Sequence, residues 1–244
     1  MNVLSIGNSF SQDAQRYLFD ISYVDNNELY LEDIVIGGCS LQRHCRNMLS
    51  GLNHYSLEIN GRYTGVFVSL FEAVTSREWD VITIQQVSHE APYYDKYQPY
   101  LNAIIENIRL TGTKAKIVLH QTWAYEQNSQ RLNNELGYAD YKDMLSDVVN
   151  SYNQAARDIN ADYVIPSGEL LSLLLENGVE KVHRDTFHAT LGLGRYALGL
   201  LWYRFITGRS VDDISFNRFD EPVSDEEIVI AKKCVEELAR KYNR

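Results

Sequence analysis

The sequence predicts a three-layer α/β/α domain built on a parallel sheet of about five strands. Short apolar, β-branched runs alternate along the chain with amphipathic helical patterns. Strands that alternate with helices need right-handed crossovers, which place them parallel in one sheet with helices on both faces. No repeat, low-complexity tract or linker divides the chain, so we expect residues 1–244 to form a single domain.

Five runs are predicted as the strands of this sheet. Each is apolar and rich in valine, isoleucine or leucine, and each ends in small or polar residues. In chain order they span residues 2–6, 29–36, 81–84, 116–120 and 163–166. Residues 51–65 are polar and turn-rich, with Asn60 and Gly61 among them, and we interpret them as a hairpin insertion.

The helices are predicted from apolar residues that recur at helical spacing. They span residues 13–24, 41–49, 66–76, 97–110, 141–159, 168–175, 193–206 and 225–242. Two segments have neither pattern. Residues 127–137 are rich in asparagine and glutamine and indicate an excursion or lid, and residues 183–188 indicate an irregular loop.

Composition and charge limit the classes of partner. The chain is 45% hydrophobic and 23% charged, which is ordinary for a globular domain. Its formal charge of −10 disfavours nucleic acid and anionic membranes, because binding to phosphate groups needs a basic surface. No apolar run approaches membrane-spanning length. We therefore expect a small molecule as partner, and the sequence does not predict an oligomeric state.

The cysteines and histidines indicate neither a metal site nor a disulfide framework. Cys39, Cys45 and Cys234 are odd in number and lack metal-ligand spacing, and the histidines are scattered. Free, mostly buried thiols fit a reducing compartment. Because Met1 leads directly into the first strand, we expect a cytoplasmic protein, or a secreted or periplasmic one if a leader was removed. No nucleotide-binding motif occurs, so no cofactor is expected.

Polar residues converge at the rim where the parallel strands end. Ser9 follows the first strand at the start of a helix, Gly38 follows the second strand, and Asp185 and His188 lie in the late loop. A serine, an imidazole and a carboxylate at one rim are the components of an acyl-transfer site. His188 can take the proton of the Ser9 hydroxyl if Asp185 orients its ring. The alternative for Ser9 is a helix N-cap, since serine is a preferred capping residue.

These residues resemble the motifs of the SGNH/GDSL hydrolases, a family of esterases, lipases and deacetylases with a flavodoxin-like sheet. The first block of that family, Gly-Asp-Ser followed by a hydrophobic residue, is similar to residues 7–10, and its last block, Asp-x-x-His, matches residues 185–188. Gly38 best matches the glycine of the second block. More narrowly, the chain resembles a little-characterised branch whose motifs are Gly-Asn-Ser-Phe-Ser, Gly-Gly-x-Ser-Leu, Gln-Gln and Thr-Trp-Ala-Tyr, all present here.

The resemblance implies a serine esterase that needs no cofactor. In this interpretation Ser9 attacks the carbonyl carbon, and His188 acts as general base and then as general acid. Asp185 orients His188, and the backbone N–H groups of Ser9 and Gly38 hold the oxyanion. The family further implies a small-molecule ester as substrate, such as an acetyl ester on a carbohydrate.

The chain departs from the family pattern at two places. Asn8 replaces the aspartate of the first block, whose side chain mainly braces the turn. No Gly-x-Asn-Asp block occurs, so the asparagine that donates to the oxyanion in this family has no counterpart. Glutamine carries the same amide donor on a longer side chain. We expect Gln86, or else Gln85, to take this role, with Ser88 and His89 as weaker alternatives.

The sequence also offers two candidate substrate-binding residues and two alternative functions. Trp123 and Tyr125 follow the fourth strand at the same rim and are candidate substrate-binding residues, although such aromatic side chains more often pack in the core. If the missing asparagine removes activity, the protein is a weak or inactive SGNH-fold domain that binds a carbohydrate or another small ligand. A third interpretation is a nucleotide or phosphate module that uses residues 7–11 as an anion site.

Overall fold

The computed structural model describes residues 1–244, and its central sheet has seven strands rather than five. The strands are β1 (Asn2–Gly7), β2 (Tyr30–Val35), β3 (Tyr55–Ile59), β4 (Arg62–Val68), β5 (Val81–Ile84), β6 (Lys116–His120) and β7 (Tyr163–Ile165). Their order across the sheet is β4-β3-β2-β1-β5-β6-β7. The five predicted strands are confirmed as the parallel part, β2-β1-β5-β6-β7.

The two additional strands form the hairpin predicted in residues 51–65, and this hairpin extends the sheet at one edge. β3 pairs antiparallel with β2, and β4 pairs antiparallel with β3. Asn60 and Gly61 have φ angles of 52° and 72°, as a two-residue hairpin turn requires. The predicted helix over residues 66–76 is wrong in its first part, because β4 continues to Val68 and the helix begins afterwards.

Nine α-helices cover the two faces of the sheet. They are α1 (Ser9–Gln15), α2 (Leu18–Val24), α3 (Leu41–Ser50), α4 (Leu70–Thr75), α5 (Tyr100–Leu110), α6 (Tyr141–Asp158), α7 (Ser167–Glu176), α8 (Leu193–Thr207) and α9 (Asp225–Lys241). The predicted helix over residues 13–24 is two helices, and the first begins four residues earlier than predicted, at Ser9. A 3₁₀ turn (Tyr94–Lys96) and a π-helical turn (Arg131–Glu135) lie in the long connections.

Two apolar layers on opposite faces of the sheet form the core. One contains 36 buried residues beneath α1, α2, α7, α8 and α9, and the other contains 30 beneath α3, α4, α5 and α6. Each fully buried large aliphatic side chain contributes roughly 1.5–3 kcal/mol, so these layers are the main source of stability. The three cysteines are buried and unbonded, as predicted. None of the helices is both long and apolar enough to cross a membrane.

The sheet topology places the end of β1 at the point where ligands bind in this class of fold. The chain leaves β1 for β2 on one side and later returns to β5 on the other side. In open α/β sheets, ligands bind beyond the carboxyl ends of the strands where the strand order reverses in this way. β1 ends at Gly7, so the crevice lies beside Ser9.

Candidate active site

The turn between β1 and α1 presents Ser9 at the first position of the helix. Asn8 is the helix N-cap, because its Oδ1 accepts a hydrogen bond of 3.0 Å from the Phe10 N–H. The interpretation of Ser9 as the cap is therefore wrong. Only glycine fits at position 7, since a Cβ there would lie 2.2 Å from the Oγ of Ser11. The Ser9 hydroxyl remains available for chemistry.

Ser9, His188 and Asp185 form a continuous hydrogen-bonded row. The Oγ of Ser9 lies 2.9 Å from the Nε2 of His188, and the Nδ1 of His188 lies 2.7 Å from the Oδ2 of Asp185. The backbone N–H of His188 also donates to the Oδ1 of Asp185, at 2.9 Å. Because Nδ1 faces a carboxylate, we assign the ring proton to Nδ1, which leaves Nε2 as an acceptor for the serine hydroxyl.

The environment of Asp185 keeps this carboxylate charged. Partial burial raises its pKa, but the hydrogen bonds from the ring and backbone of His188 outweigh burial, and the net pKa lies below the usual range. Asp185 therefore accepts both hydrogen bonds from His188 in its charged form.

A buried carboxylate on α1, Asp13, anchors the loop that carries Asp185 and His188. Its side chain is 1% exposed. It accepts hydrogen bonds from Arg184 at 2.9 Å, from Arg195 at 2.9 Å and from the backbone N–H of Ala189 at 3.1 Å. Arg184 and Ala189 flank residues 185–188, so Asp13 holds the loop at both ends.

Ser9 opens into a cavity of about 420 Å³, which we call the aromatic cavity. It is lined by Asn8, Ser9, Phe10, Gly37, Gly38, Val87, Ser88, His89, Tyr125, Arg131, Phe187 and His188. The Phe187 ring packs against the His188 ring with centroids 4.0 Å apart, and the centroids of the Phe187 and Phe10 rings lie 6.3 Å apart. His188, the middle residue of the hydrogen-bonded row, thus packs against apolar side chains of the cavity.

Gly38 brings a second unused backbone donor to this cavity. It follows β2 with a φ of 60°, a left-handed conformation that favours glycine. Its N–H makes no hydrogen bond within the protein, and the N–H of Ser9 has no acceptor in its own helix. The structure therefore places both predicted backbone donors, Ser9 and Gly38, at the same cavity.

The structure corrects the predicted role of Gln86. This side chain is fully buried and does not line the aromatic cavity. Its Oε1 accepts hydrogen bonds of 2.9 Å from the N–H groups of Leu41 and Val87, and its Nε2 donates to the carbonyl of Lys96 at 3.0 Å. Gln86 ties three backbone segments together, so it is not an oxyanion donor in this geometry.

Gln85 also lies behind the cavity rather than on its wall, in a buried chain of hydrogen bonds. Its Nε2 donates to the Oδ1 of Asn8 at 2.7 Å, and its Oε1 accepts from the Nδ1 of His120 at 2.6 Å. The Nδ2 of Asn8 donates to the carbonyl of Cys39 at 3.2 Å. These hydrogen bonds connect the turn that carries Ser9 to the loop that carries Gly38. Gln85 therefore acts on the site indirectly, and its predicted role as an oxyanion donor is also corrected.

Of the two predicted substrate contacts, Tyr125 lines the cavity and Trp123 does not. The hydroxyls of Tyr125 and Ser88 lie 2.9 Å apart. Trp123 is 1% exposed and stacks on Phe10 with centroids 3.9 Å apart. Its Nε1 donates to the carbonyl of Phe187 at 2.6 Å. Trp123 supports the cavity wall from behind, and its predicted role as a substrate contact is corrected.

A second cavity, of about 290 Å³, also reaches Ser9, and we call it the arginine cavity. It is lined by Ser9, Gln12, Asp13, Arg16, Glu58, Gly61, Tyr63, Arg184 and Arg195. Its three guanidinium groups are all paired. Asp13 pairs with Arg184 and Arg195, and Asp220 pairs with Arg16 and Arg195. Each guanidinium group of this cavity therefore has a carboxylate partner within the protein.

Reasoning from the sequence did not identify three residues of the site. Asp13 offered the clearest signal, because an acid four residues after Ser9 stands beside Ala14 on the buried face of a helix. Phe187 lies inside the Asp-x-x-His motif, where its spacing carries no signal of its own. Arg131 lies in the segment predicted as an excursion or lid, and the structure places it on the wall of the aromatic cavity.

The sheet order and the helices on both faces match the fold of solved SGNH hydrolases. A proposed SGNH hydrolase from Slackia heliotrinireducens is similar, with 20% identity, a TM-score of 0.59, and coverage of 84% of this chain and 97% of that one. An acetylxylan esterase from Geobacillus stearothermophilus has 14% identity, a TM-score of 0.56, and coverage of 84% and 94%. These similarities show the shared fold.

The chain belongs to the DUF4886 family, described as a domain of unknown function, whose model matches residues 2–237. The crystal structure of a DUF4886 family protein from Bacteroides uniformis is 28% identical to this chain, with a TM-score of 0.90. The match covers 100% of this chain and 95% of that one. No curated protein matches the sequence.

Proposed function

We propose that this protein is a serine esterase that hydrolyses small acyl esters through Ser9, His188 and Asp185. The observation that carries the proposal is the hydrogen-bonded row, with 2.9 Å from serine to imidazole and 2.7 Å from imidazole to carboxylate. A serine hydroxyl becomes an effective nucleophile when an oriented base takes its proton. This row supplies that base together with its orienting acid.

Acylation follows from the positions of these groups. The Oγ of Ser9 attacks the carbonyl carbon of the ester while the Nε2 of His188 takes the hydroxyl proton. The C–O bond to the alcohol then breaks, and His188 protonates the departing oxygen. Water, deprotonated by His188, next attacks the acyl-Ser9 ester. The tetrahedral intermediate formed by this attack then collapses. The carboxylic acid is released, and His188 returns the proton to the Oγ of Ser9.

The oxyanion is the part of the mechanism in which this chain departs from its class. The backbone N–H groups of Ser9 and Gly38 supply two donors, and each donor of this kind contributes about 3 kcal/mol to transition-state stabilisation. Neither glutamine supplies a third. Ser88 lines the cavity, and its hydroxyl proton is free when the Tyr125 hydroxyl donates to it. We therefore assign the third donor to Ser88.

For the substrate, we propose a small acyl group, such as acetyl, on a carbohydrate or another small alcohol. Proteins with the same fold include acetylxylan esterases, which supports an ester of this size. The aromatic cavity of about 420 Å³ has room for an acyl group and for part of the alcohol.

Turnover of p-nitrophenyl acetate by the wild-type protein and the Ser9→Ala variant tests the chemistry. We expect kcat/KM to fall by at least about 10³-fold, because the nucleophile is lost. Ser50→Ala is the matched control, since Ser50 is an exposed serine at the end of α3. Equal rates in wild type and Ser9→Ala would refute the proposal. Labelling of Ser9 by a fluorophosphonate separates an esterase from a domain that only binds its ligand.

A further inference from the structure

The aromatic cavity has an unusual charge for this chain. Its lining includes one permanent cation, Arg131, and no carboxylate, although the chain carries a formal charge of −10. The guanidinium carbon of Arg131 lies 4.2 Å from the centre of the Phe187 ring. The side chain is exposed and forms no ion pair, and its polar neighbour in the protein is the Tyr125 hydroxyl. A cation is thus held in the same cavity as Ser9, with most of its five N–H donors free of protein acceptors.

The nearby acids do not neutralise this cation. Glu135 lies on the same π-helical turn but does not line the cavity and forms no ion pair with Arg131. Both oxygens of Asp185 accept hydrogen bonds from His188. The guanidinium groups of the arginine cavity, by contrast, are all paired with Asp13 or Asp220. Of the cations that line the two cavities, Arg131 is the one available to a ligand.

We propose that Arg131 binds a carboxylate on the alcohol part of the ester substrate. The inference rests on the proposed function, because it names the substrate class of the same site. A planar guanidinium matches a carboxylate with two parallel N–H···O bonds. Its position indicates the alcohol part, because Arg131 packs on Phe187, and Phe187 packs on the ring of His188 at 4.0 Å. His188 protonates the departing alcohol, so groups attached to that alcohol lie on this side of the cavity.

A matched pair of esters tests the proposal. 4-Acetoxybenzoate carries a carboxylate on its leaving group, and 4-acetoxybenzamide is an uncharged analogue of the same shape. The ratio of kcat/KM for the carboxylate to that for the amide removes most other effects of a mutation. We expect Arg131→Gln to lower this ratio about fivefold, because a partly exposed ion pair has a modest strength. Arg131→Lys keeps the positive charge but loses the planar guanidinium. Its ratio of kcat/KM is therefore expected to lie between those of the wild type and Arg131→Gln.

Arg157→Gln is the control, because Arg157 is exposed in the last turn of α6 and its loss changes the net charge equally. This variant should keep the wild-type ratio. The effect of Arg131 should also weaken as ionic strength rises, because salt screens exposed charges. The same ratio in wild type and Arg131→Gln would overturn the proposal.

Binding to Ser9→Ala protein separates this inference from the proposed function. Calorimetric titration with 4-acetoxybenzoate measures recognition without turnover. We expect the Kd to rise about fivefold when Arg131→Gln is added to Ser9→Ala, with no such change for the amide. An unchanged Kd for the carboxylate would overturn the inference even if the protein is an esterase. Binding that depends on Arg131, without turnover that depends on Ser9, would refute the esterase and leave the carboxylate site standing.

Discussion

The two cavities that meet at Ser9 use their charged and polar groups differently. In the arginine cavity the three guanidinium groups are paired with carboxylates inside the protein. In the aromatic cavity the guanidinium of Arg131 has no carboxylate partner, and the N–H of Gly38 makes no hydrogen bond within the protein. Groups whose hydrogen bonds are satisfied internally fix the structure, whereas groups left unsatisfied are available to a substrate. We therefore expect mutations in the first cavity to lower stability and mutations in the second to lower activity.

The largest expected effect on stability comes from Asp13→Ala in the arginine cavity. The change leaves Arg184 and Arg195 without their buried partner and also removes the acceptor for the N–H of Ala189. Breaking a buried ion pair in this way costs about 3–5 kcal/mol in the free energy of unfolding. Urea denaturation measures this loss.

Asp220→Ala is the matched control for Asp13, because Asp220 also pairs with two arginines but its side chain is 30% exposed. More exposed pairs are typically worth about 1 kcal/mol or less. If Asp13→Ala destabilises the protein no more than Asp220→Ala does, the arginine cavity does not have the structural role assigned to it.

The next largest effect on the free energy of unfolding is expected at acid pH, through His120, which is buried behind the aromatic cavity. Burial lowers the pKa of His120 to about 3. Because the unfolded chain has a histidine pKa near 6.5, it binds a proton below that pH that the folded protein does not hold. The neutral, buried His120 therefore contributes its full stabilisation of the folded protein above pH 6.5, and this contribution is lost as the pH falls toward 3. For His120 alone, the loss between pH 7.5 and pH 5 is about 2 kcal/mol.

The variant His120→Asn tests this contribution, since the asparagine amide can donate to Gln85 as Nδ1 does but does not titrate. The difference in free energy of unfolding between pH 7.5 and pH 5 should be about 2 kcal/mol smaller than in the wild type. His44 and His183 have pKa values lowered by burial to about 3 and about 4, so part of the acid sensitivity remains in the variant. An unchanged pH dependence would contradict this account of His120.

The sequence predicted the features that depend on neighbouring residues in the chain. Ser9 follows its strand directly, and Asp185 reaches His188 within a single turn, so short motifs contain most of that geometry. The parallel sheet is likewise implied by strands that alternate with helices. Local pattern therefore predicted the fold class and the hydrogen-bonded row, although the pairing of Ser9 with His188 needed the family resemblance as well.

The errors concern features that depend on distant contacts. The direction of the Gln85 side chain is set by Asn8 and His120, which are far from it in sequence. The length of β4 depends on its pairing with β3, and the exposed side chains of β4 show no amphipathic alternation that would separate it from a helix. The position of Arg131 depends on how a polar connection folds back over Phe187. No pattern within these segments encodes such contacts.

The smallest expected effect comes from Tyr125→Phe in the aromatic cavity. The change removes the hydroxyl that lies 2.9 Å from the Oγ of Ser88. If Ser88 is the third oxyanion donor, its hydroxyl then loses its orientation, and kcat should fall about three- to fivefold, or roughly 0.7–1 kcal/mol. KM should change less, because the lost interaction acts on the oxyanion that forms in the transition state. Tyr93→Phe, which removes a hydroxyl at the exposed 3.5 Å contact with the carbonyl of Leu136, is the control.

The double variant decides whether Tyr125 acts through Ser88. Ser88→Ala should lower kcat at least as much as Tyr125→Phe does, and adding Tyr125→Phe to it should have little further effect, because the two residues form one unit. Additive losses would mean that Tyr125 acts on the substrate directly. An unchanged kcat in Ser88→Ala would show that the Ser9 and Gly38 N–H groups hold the oxyanion without a third donor. In that case the aromatic cavity supplies shape and the charge of Arg131, and its backbone alone stabilises the transition state.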